Sequence, residues 1–277
     1  MNDKYIEKSK SLKKYHYSNL PSQIQTYLHD TLVQMLKVVL PIFEKNDIRY
    51  SLCGGSLLGA VLIQKMLPWD GDVDICILED DYEKALELLK SNLPNWMMLQ
   101  WTDSEKNYYH GWAKVRDKNS CIHPGVNAYK NNGVWIDLYK MAKVKKCQTS
   151  YLIFKEHYDY LNRRYLVGDI SKSELDKRIE KNDLINKMNE TKQYAEQSLD
   201  STYVYMVWSL PIIQIELDAC FPRKKYLFEG LNVFGFKDAE SYLSKHYSEK
   251  WRELPPENQR LIGFEMLEIL NSSSQTL

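Results

Sequence analysis

From Ser22 to Asn46 the apolar residues Ile24, Tyr27, Leu28, Leu32, Met35, Leu36, Val39 and Leu40 fall on one stripe of a 3.6-residue period, predicting an amphipathic helix. Asn46-Asp47 breaks the period, and Ile48 to Leu52 reads as a short strand. Gly54-Gly55 predicts a turn, and Ser56 suits the N-cap of a helix running to about Lys65. Beyond Pro68 the period changes to two. Val73, Ile75 and Ile77 alternate with Asp72, Asp74 and Cys76, the pattern of a strand with one polar face. Asp80 and Asp81 are placed to cap a further helix carrying Ala85, Leu86, Leu88 and Leu89, and Pro94 ends it. Trp96 to Trp101, Tyr108 to Arg116 and Gly133 to Met141 read as strands.

After about Lys143 the pattern shifts. Tyr151 to Ser209 is charged and helix-like, with polar breaks near Gly168-Asp169 and Asp200-Ser201, and Phe221 to Gln259 is punctuated by Pro and aromatic residues. The expected organisation is a flexible polar tail over 1–21, an α+β domain over 22–145, and a mostly helical region over 146–277. No internal repeat or low-complexity segment appears.

At 277 residues the chain is long enough for one large domain or two small ones. Lys plus Arg and Asp plus Glu both number 37, so the formal charge is zero and general nucleic-acid binding, which needs a basic excess, is disfavoured. The longest apolar run, Val38 to Phe43, is too short to cross a bilayer, and the Lys-rich start does not read as a secretory signal. Five scattered cysteines without CxxC spacing argue against a zinc ribbon or a disulfide framework and fit a reducing, cytoplasmic compartment.

The chemistry concentrates in three places. Gly54, Gly55 and Ser56 open a helix whose first amides suit a phosphate, although a GGS turn alone is also an ordinary capped turn. Asp72 and Asp74, two apart on a strand, aim like charges at one face, and a divalent cation with oxygen preference relieves their repulsion. Many Asp-x-Asp pairs are solvated strand edges, but Asp137 lies inside the apolar run Val134-Trp135-Ile136-Asp137-Leu138-Tyr139. A carboxylate there is costly unless paired or metal-bound. If the two strands are neighbours, three carboxylates meet, able to hold metal and to deprotonate a hydroxyl. Lys114 and Arg116 share one face of another strand, and spacing alone leaves phosphate contact and a solvent-facing edge equally open. The six histidines show no ligand-like spacing; only His110 aligns with the Lys114 face.

Tyr50-Ser-Leu-Cys-Gly54-Gly55-Ser56-Leu-Leu-Gly59-Ala60, followed by Leu67-Pro68-Trp69-Asp70-Gly-Asp72-Val-Asp74-Ile75, resembles the LicD and fukutin-related phosphotransferase family. Lys114-Val-Arg116-Asp117, Ile136-Asp137-Leu138 and the closing segment Phe228-Glu229-Gly230, Tyr242-Leu243, Tyr247 and Leu254-Pro255-Pro256 extend the resemblance from about Tyr27 to Gln259. The resemblance implies a nucleotidyltransferase-like mixed sheet with flanking helices, with the C-terminal region completing the active-site cleft. It implies Mg²⁺ or Mn²⁺ on Asp72, Asp74 and Asp137, and donor or phosphate contacts from Gly54, Gly55, Ser56, Lys114 and Arg116. Asp70 occupies a usual family position without an assigned role. The implied reaction moves phosphocholine or a polyol phosphate from a CDP-linked donor to a hydroxyl of a glycan or cell-surface polysaccharide, as in lipopolysaccharide or capsule modification. A lipid-linked acceptor would bring peripheral contact with the inner face of a membrane.

Three positions depart from the family pattern: Leu62-Ile63 replaces a basic pair, Gly71 stands where an acid is common, and Ser248 where glycine is usual. Two other readings stay open. An Asp-x-Asp glycosyltransferase would release a nucleoside diphosphate, and a nucleotidyltransferase would release pyrophosphate. A catalytically inactive binding relative would have no use for clustered, mutually repelling acids.

Overall fold

The computed structural model describes residues 15–123, 129–145, 149–195, 202–206, 214–264 and 266–270. The first long helix, α1 (Ser22–Lys45), buries Leu28, Leu32, Met35, Leu36, Val39 and Leu40 of the predicted stripe and Phe43 beyond it, and half-buries Ile24 and Tyr27. Strand β2 (Tyr50–Leu52) leads into α2 (Gly54–Leu62), and β3 (Val73–Leu78) into α3 (Glu79–Asn92). The N-caps are Cys53 and Leu78, not the expected Ser56 and the pair Asp80 and Asp81. All three polar residues sit in first turns, where Asp81 receives Arg49 at 2.6 Å.

Strands β4 (Met97–Gln100), β5 (Ala113–Asp117) and β6 (Ser120–His123) precede the long β7 (Trp135–Lys145). The main sheet runs β2-β3-β7-β5-β4, with β3 parallel to β7 and the other neighbours antiparallel. The adjacent β3 and β7 are covered on both faces, which explains why Ile75, Ile77, Ile136 and Leu138 are all buried. The expected strand from Tyr108 begins only at Ala113. Tyr108 turns back to donate its hydroxyl to the carbonyl of Trp112 at 2.8 Å, and its ring stacks on Tyr129. An aromatic cluster thus outcompetes strand extension.

The C-terminal region is helical over α4 (Thr149–Leu166), α5 (Lys172–Lys181) and α6 (Leu184–Ala195), with Gly168 at φ +79° in the break between the first two. The expected break at Asp200-Ser201 lies outside the described residues. After it the helical expectation gives way to β8 (Thr202–Met206), which pairs with the far end of β7, and β9 (Gln214–Glu216) pairs with β8. The reason is local: Thr-Tyr-Val-Tyr-Met is rich in β-branched and aromatic residues. A short α7 (Leu217–Cys220), the hairpin β10 (Lys224–Phe228) and β11 (Leu231–Gly235), and α8 (Ala239–Tyr247) follow. Glu229-Gly230, both with positive φ, make the two-residue hairpin turn. Finally β12 (Leu261–Ile262) and β13 (Met266–Ile269) return to the N-terminal half, β13 pairing with β6.

The tail expected to be loose through residue 21 is fixed from Tyr15. Strand β1 (Tyr15–His16) pairs with β12, and Leu20 is buried, because the apolar side chains that end the polar segment find a cover in the returning chain. Among the described residues no helix is long and apolar enough to cross a membrane.

Candidate active site

The parallel register sets Asp74 directly opposite Asp137. Asp72, two residues before Asp74, shares its face. One oxygen from each carboxylate lies within 4.8 Å of the others. The adjacency on which the sequence argument depended is therefore present. Burial and neighbouring carboxylates push the pKa of both Asp72 and Asp74 well up. Both keep partial exposure, so repulsion matters alongside desolvation. Tyr139, also on this face, holds Asp74 by a hydrogen bond that opposes the rise. The donor set is all oxygen, and a divalent cation would relieve the repulsion; the three residues fit Mg²⁺ or Mn²⁺.

Asp137 is differently placed. Its Oδ1 accepts from Trp112 Nε1 at 2.7 Å and from Lys114 Nζ, while Oδ2 accepts from Trp135 Nε1 at 2.8 Å. Lys114 faces Asp137 in register and is buried between the two indoles, 4.7 Å from the Trp135 ring and 5.4 Å from Trp112. Burial lowers its pKa, against the pull of Asp137. Arg116 lies on the same face but does not reach the acids. Its Nε donates to Gln100 Oε1 at 2.8 Å and an Nη to the Gly133 carbonyl at 2.7 Å, and its plane lies over Trp135. The expected donor contact is thus occupied in tying β4, β5 and the start of β7 together.

The two glycines make room for the protein's own carboxylates. A Cβ on Gly54 would overlap Asp74 Oδ2, and one on Gly55 would overlap Asp70 Oδ2. Gly54 also has φ +53°, a conformation that side chains disfavour. The anions that come close to this turn are the protein's own. Ser56 is fully buried, and its hydroxyl accepts from the Asp74 amide at 2.9 Å, fixing β3 against α2. The Gly54 amide donates to Tyr242 at 2.7 Å, so of the first-turn amides the helix leaves those of Gly55 and Ser56. Asp70 is enclosed beside Asp72, and its Oδ2 has no hydrogen-bond partner. Burial pushes its pKa up to about 7, opposed by hydrogen bonds from Gly71 and Asp72.

The C-terminal segments grip each part of this site. Tyr242 of α8 takes the Gly54 amide, Glu229 Oε1 of the hairpin accepts from Met66 at 2.8 Å, and Arg260 lies 4.8 Å over the ring of Trp69. Phe264 and Ile262 crowd Gly71, where a Cβ would stand 3.1 Å from the Phe264 ring. A side chain there, where an acid is common in the family, would need the Phe264 ring to shift. The residues the sequence argument missed are Trp112, Trp135 and Tyr139. Each is two positions from Lys114 or Asp137, so the period of the strand already put them on the active face.

The LicD/FKTN/FKRP nucleotidyltransferase domain matches residues 47–178, which hold all of the carboxylates and Lys114. Over 80 residues the chain is 38% identical to the lipopolysaccharide cholinephosphotransferase LicD of Haemophilus influenzae, a match covering 28% of this chain and 30% of that one. It is 41% identical over 124 residues to an uncharacterized protein of Rickettsia typhi, covering 42% and 39%, and 35% identical over 104 residues to one of Rickettsia prowazekii, covering 35% and 38%. The chain thus spans between 30% and 39% of the length of these relatives. With the match and the three-carboxylate strand pair in the same segment, residues 47–178 are those of a LicD/FKTN/FKRP nucleotidyltransferase domain.

Proposed function

We propose that this protein is a metal-dependent phosphotransferase that moves a substituted phosphate, of the phosphocholine or polyol phosphate type, from a CDP-linked donor to a glycan hydroxyl. The observation that carries the reading is the in-register pair Asp74 and Asp137 with Asp72 beside them. Asp72 and Asp74 would hold the cation with Asp137 in reach, and the cation when bound would neutralise the donor diphosphate. Asp137 accepts two hydrogen bonds at Oδ1 and one at Oδ2, which leaves a lone pair on Oδ2 for service as ligand or as base. Lys114 fixes that carboxylate and adds positive potential behind it. The acceptor oxygen forms the new bond to phosphorus and gives its proton to Asp137 or to water, and the bond to the nucleotide breaks, with CMP taking the electron pair. Positioning and charge stabilisation supply most of the rate. The Haemophilus relative, named as a lipopolysaccharide cholinephosphotransferase, supports the transferred group and the acceptor class.

The test is incubation of the protein with Mg²⁺, a glycan acceptor and a panel of nucleotide-linked donors, following the nucleotide released. CMP from a CDP-linked alcohol, abolished in Asp74→Asn with the fold intact, is the expected result. Release of a nucleoside diphosphate would replace this reading with a glycosyltransferase, and release of pyrophosphate with nucleotidyl transfer.

A further inference from the structure

A second concave surface lies on the side of the sheet turned away from the carboxylates. Lys114 faces Asp137, and Asp117, three positions further along β5, faces the other way. There the Tyr27 hydroxyl of α1 donates to Asp117 Oδ2 at 3.2 Å. Asp117 is buried and also takes the Ser120 hydroxyl at 2.6 Å and the Asn119 amide at 3.0 Å, so this pair makes a fixed floor. Above it opens a groove of about 560 Å³, within the size range of small-ligand sites, roughly 300–1,000 Å³. Gln23, Thr26, Asp30 and Gln34 recur at helical spacing and form one wall from α1. Trp96 before β4, Asn119 of the β5–β6 turn and Ile269 of β13 form the other.

The lining differs in charge from the rest of the helical surface. Over its middle turns α3 exposes Glu83, Lys84, Glu87 and Lys90, all charged, whereas the first turns of α1 expose Ser22, Gln23, Thr26, Asp30 and Gln34. No Lys or Arg lines the groove, so a phosphate or a nucleotide finds no cation there. Nor does it carry the continuous apolar stripe on which a partner helix docks. What it offers is amides and hydroxyls beside an indole. Those side chains donate and accept, as each hydroxyl of a sugar does, and the indole gives an apolar face for the ring.

We propose that this groove binds a neutral oligosaccharide, at a docking site separate from the reaction centre. If the acceptor is a glycan, as the proposed function has it, the groove tethers a further stretch of the same polymer and raises its effective concentration at the carboxylates. Sugar binding itself does not depend on that reading. The test follows the indole N–H resonances of the full chain, wild type and Asp74→Asn, in proton–nitrogen correlation spectra. The probes are hexasaccharides of glucose, galactose and N-acetylglucosamine, with inorganic phosphate and tetramethylammonium as controls. Trp96, assigned through Trp96→Phe, should shift with at least one hexasaccharide and with neither control, equally in both proteins. Thr26→Ala/Gln34→Ala truncates two exposed side chains and should lose about tenfold in affinity, the worth of two neutral hydrogen bonds. A silent Trp96, a shift at Trp112 and Trp135 in its place, a response to a control instead of a sugar, or unchanged affinity in the double variant would each overturn the assignment. Failure of the CDP donor panel with the Trp96 shift intact would refute the proposed transfer and leave the groove standing.

Discussion

The ion pair between Lys114 and Asp137 gives the sharpest energetic test of how the site is built. Their side chains are 6% and 4% exposed, so solvent does little to screen them. Substituting Lys114→Met keeps the aliphatic stem and removes the charge, leaving Asp137 buried as an anion. Removing one partner of a buried pair costs about 3–5 kcal/mol. Asp137 retains the indole hydrogens of Trp112 and Trp135, each bond to a charged acceptor being worth about 1.5–3 kcal/mol. The expected loss is therefore at the lower end, about 3 kcal/mol. With a urea slope of about 3 kcal/mol per M, the midpoint should fall by about 1 M. The assay is urea unfolding in EDTA, repeated with Mg²⁺ and with the double variant Lys114→Met/Asp137→Asn. Mg²⁺ should narrow the deficit, because a cation can take up the uncompensated charge. The double variant should be destabilised by less than the sum of the single ones, since a neutral amide needs no counter-ion. A loss below about 1 kcal/mol in EDTA, or full additivity, would refute the buried-anion argument.

Three further expectations follow from local geometry. Gly54→Ala forces a side chain into a positive-φ position and onto the Asp74 carboxylate, so it should lose about 1–2 kcal/mol in thermal or urea unfolding. Turnover should fall about 100-fold as Asp74 shifts, with little change at an acid further along the row. Ser248→Gly removes the strain of φ +82° after α8 but adds chain entropy, for a net gain of about 1 kcal/mol by urea unfolding; a loss would place the strain elsewhere. His246 is buried with Nδ1 unpartnered, and burial lowers its pKa to about 4. The unfolded imidazole takes up a proton near pH 6.5 while the folded one stays neutral, so the unfolded state binds more protons and stability falls as pH drops from about 6.5 to 4. Replacing it in His246→Phe, which preserves the stack on Tyr242, should spare about 2 kcal/mol of the loss between pH 7 and 5; identical pH profiles would exclude it as the titrating group.

How legible all this was in the sequence depends on the range of the interaction. Asp72 and Asp74 announced a shared face because a strand has period two, and Asp137 stood out because an acid within Val-Trp-Ile-x-Leu-Tyr needs a partner. What that partner would be was not readable. Lys114 is 23 residues away and Trp112 is 25, and their meeting depends on strand order, which periodicity does not specify. The same limit holds for Arg116, whose spacing from Lys114 left phosphate contact and a solvent-facing edge equally open while its buried partners, Gln100 and Gly133, come from other elements. Tyr108 to Trp112 failed for the opposite reason: alternating aromatics imitate a strand, and only tertiary packing with Tyr129 shows them as a cluster.

The gripping contacts change what the catalytic unit physically is. The family match ends at residue 178, yet the turn at Gly54, the loop at Met66, the ring of Trp69 and the crowded Gly71 are held by Tyr242, Glu229, Arg260 and Phe264. Each contact touches the backbone or ring next to a carboxylate, and none touches a carboxylate itself. The acids repel one another, so the strands and turns that carry them need restraint from outside the row. The closing segment supplies that restraint, and β13 pairing with β6 ties its end back into the N-terminal half. The motif resemblance between residues 228 and 256 has this physical meaning: Glu229 and Tyr242, both within it, hold the backbone of the turns beside the acids.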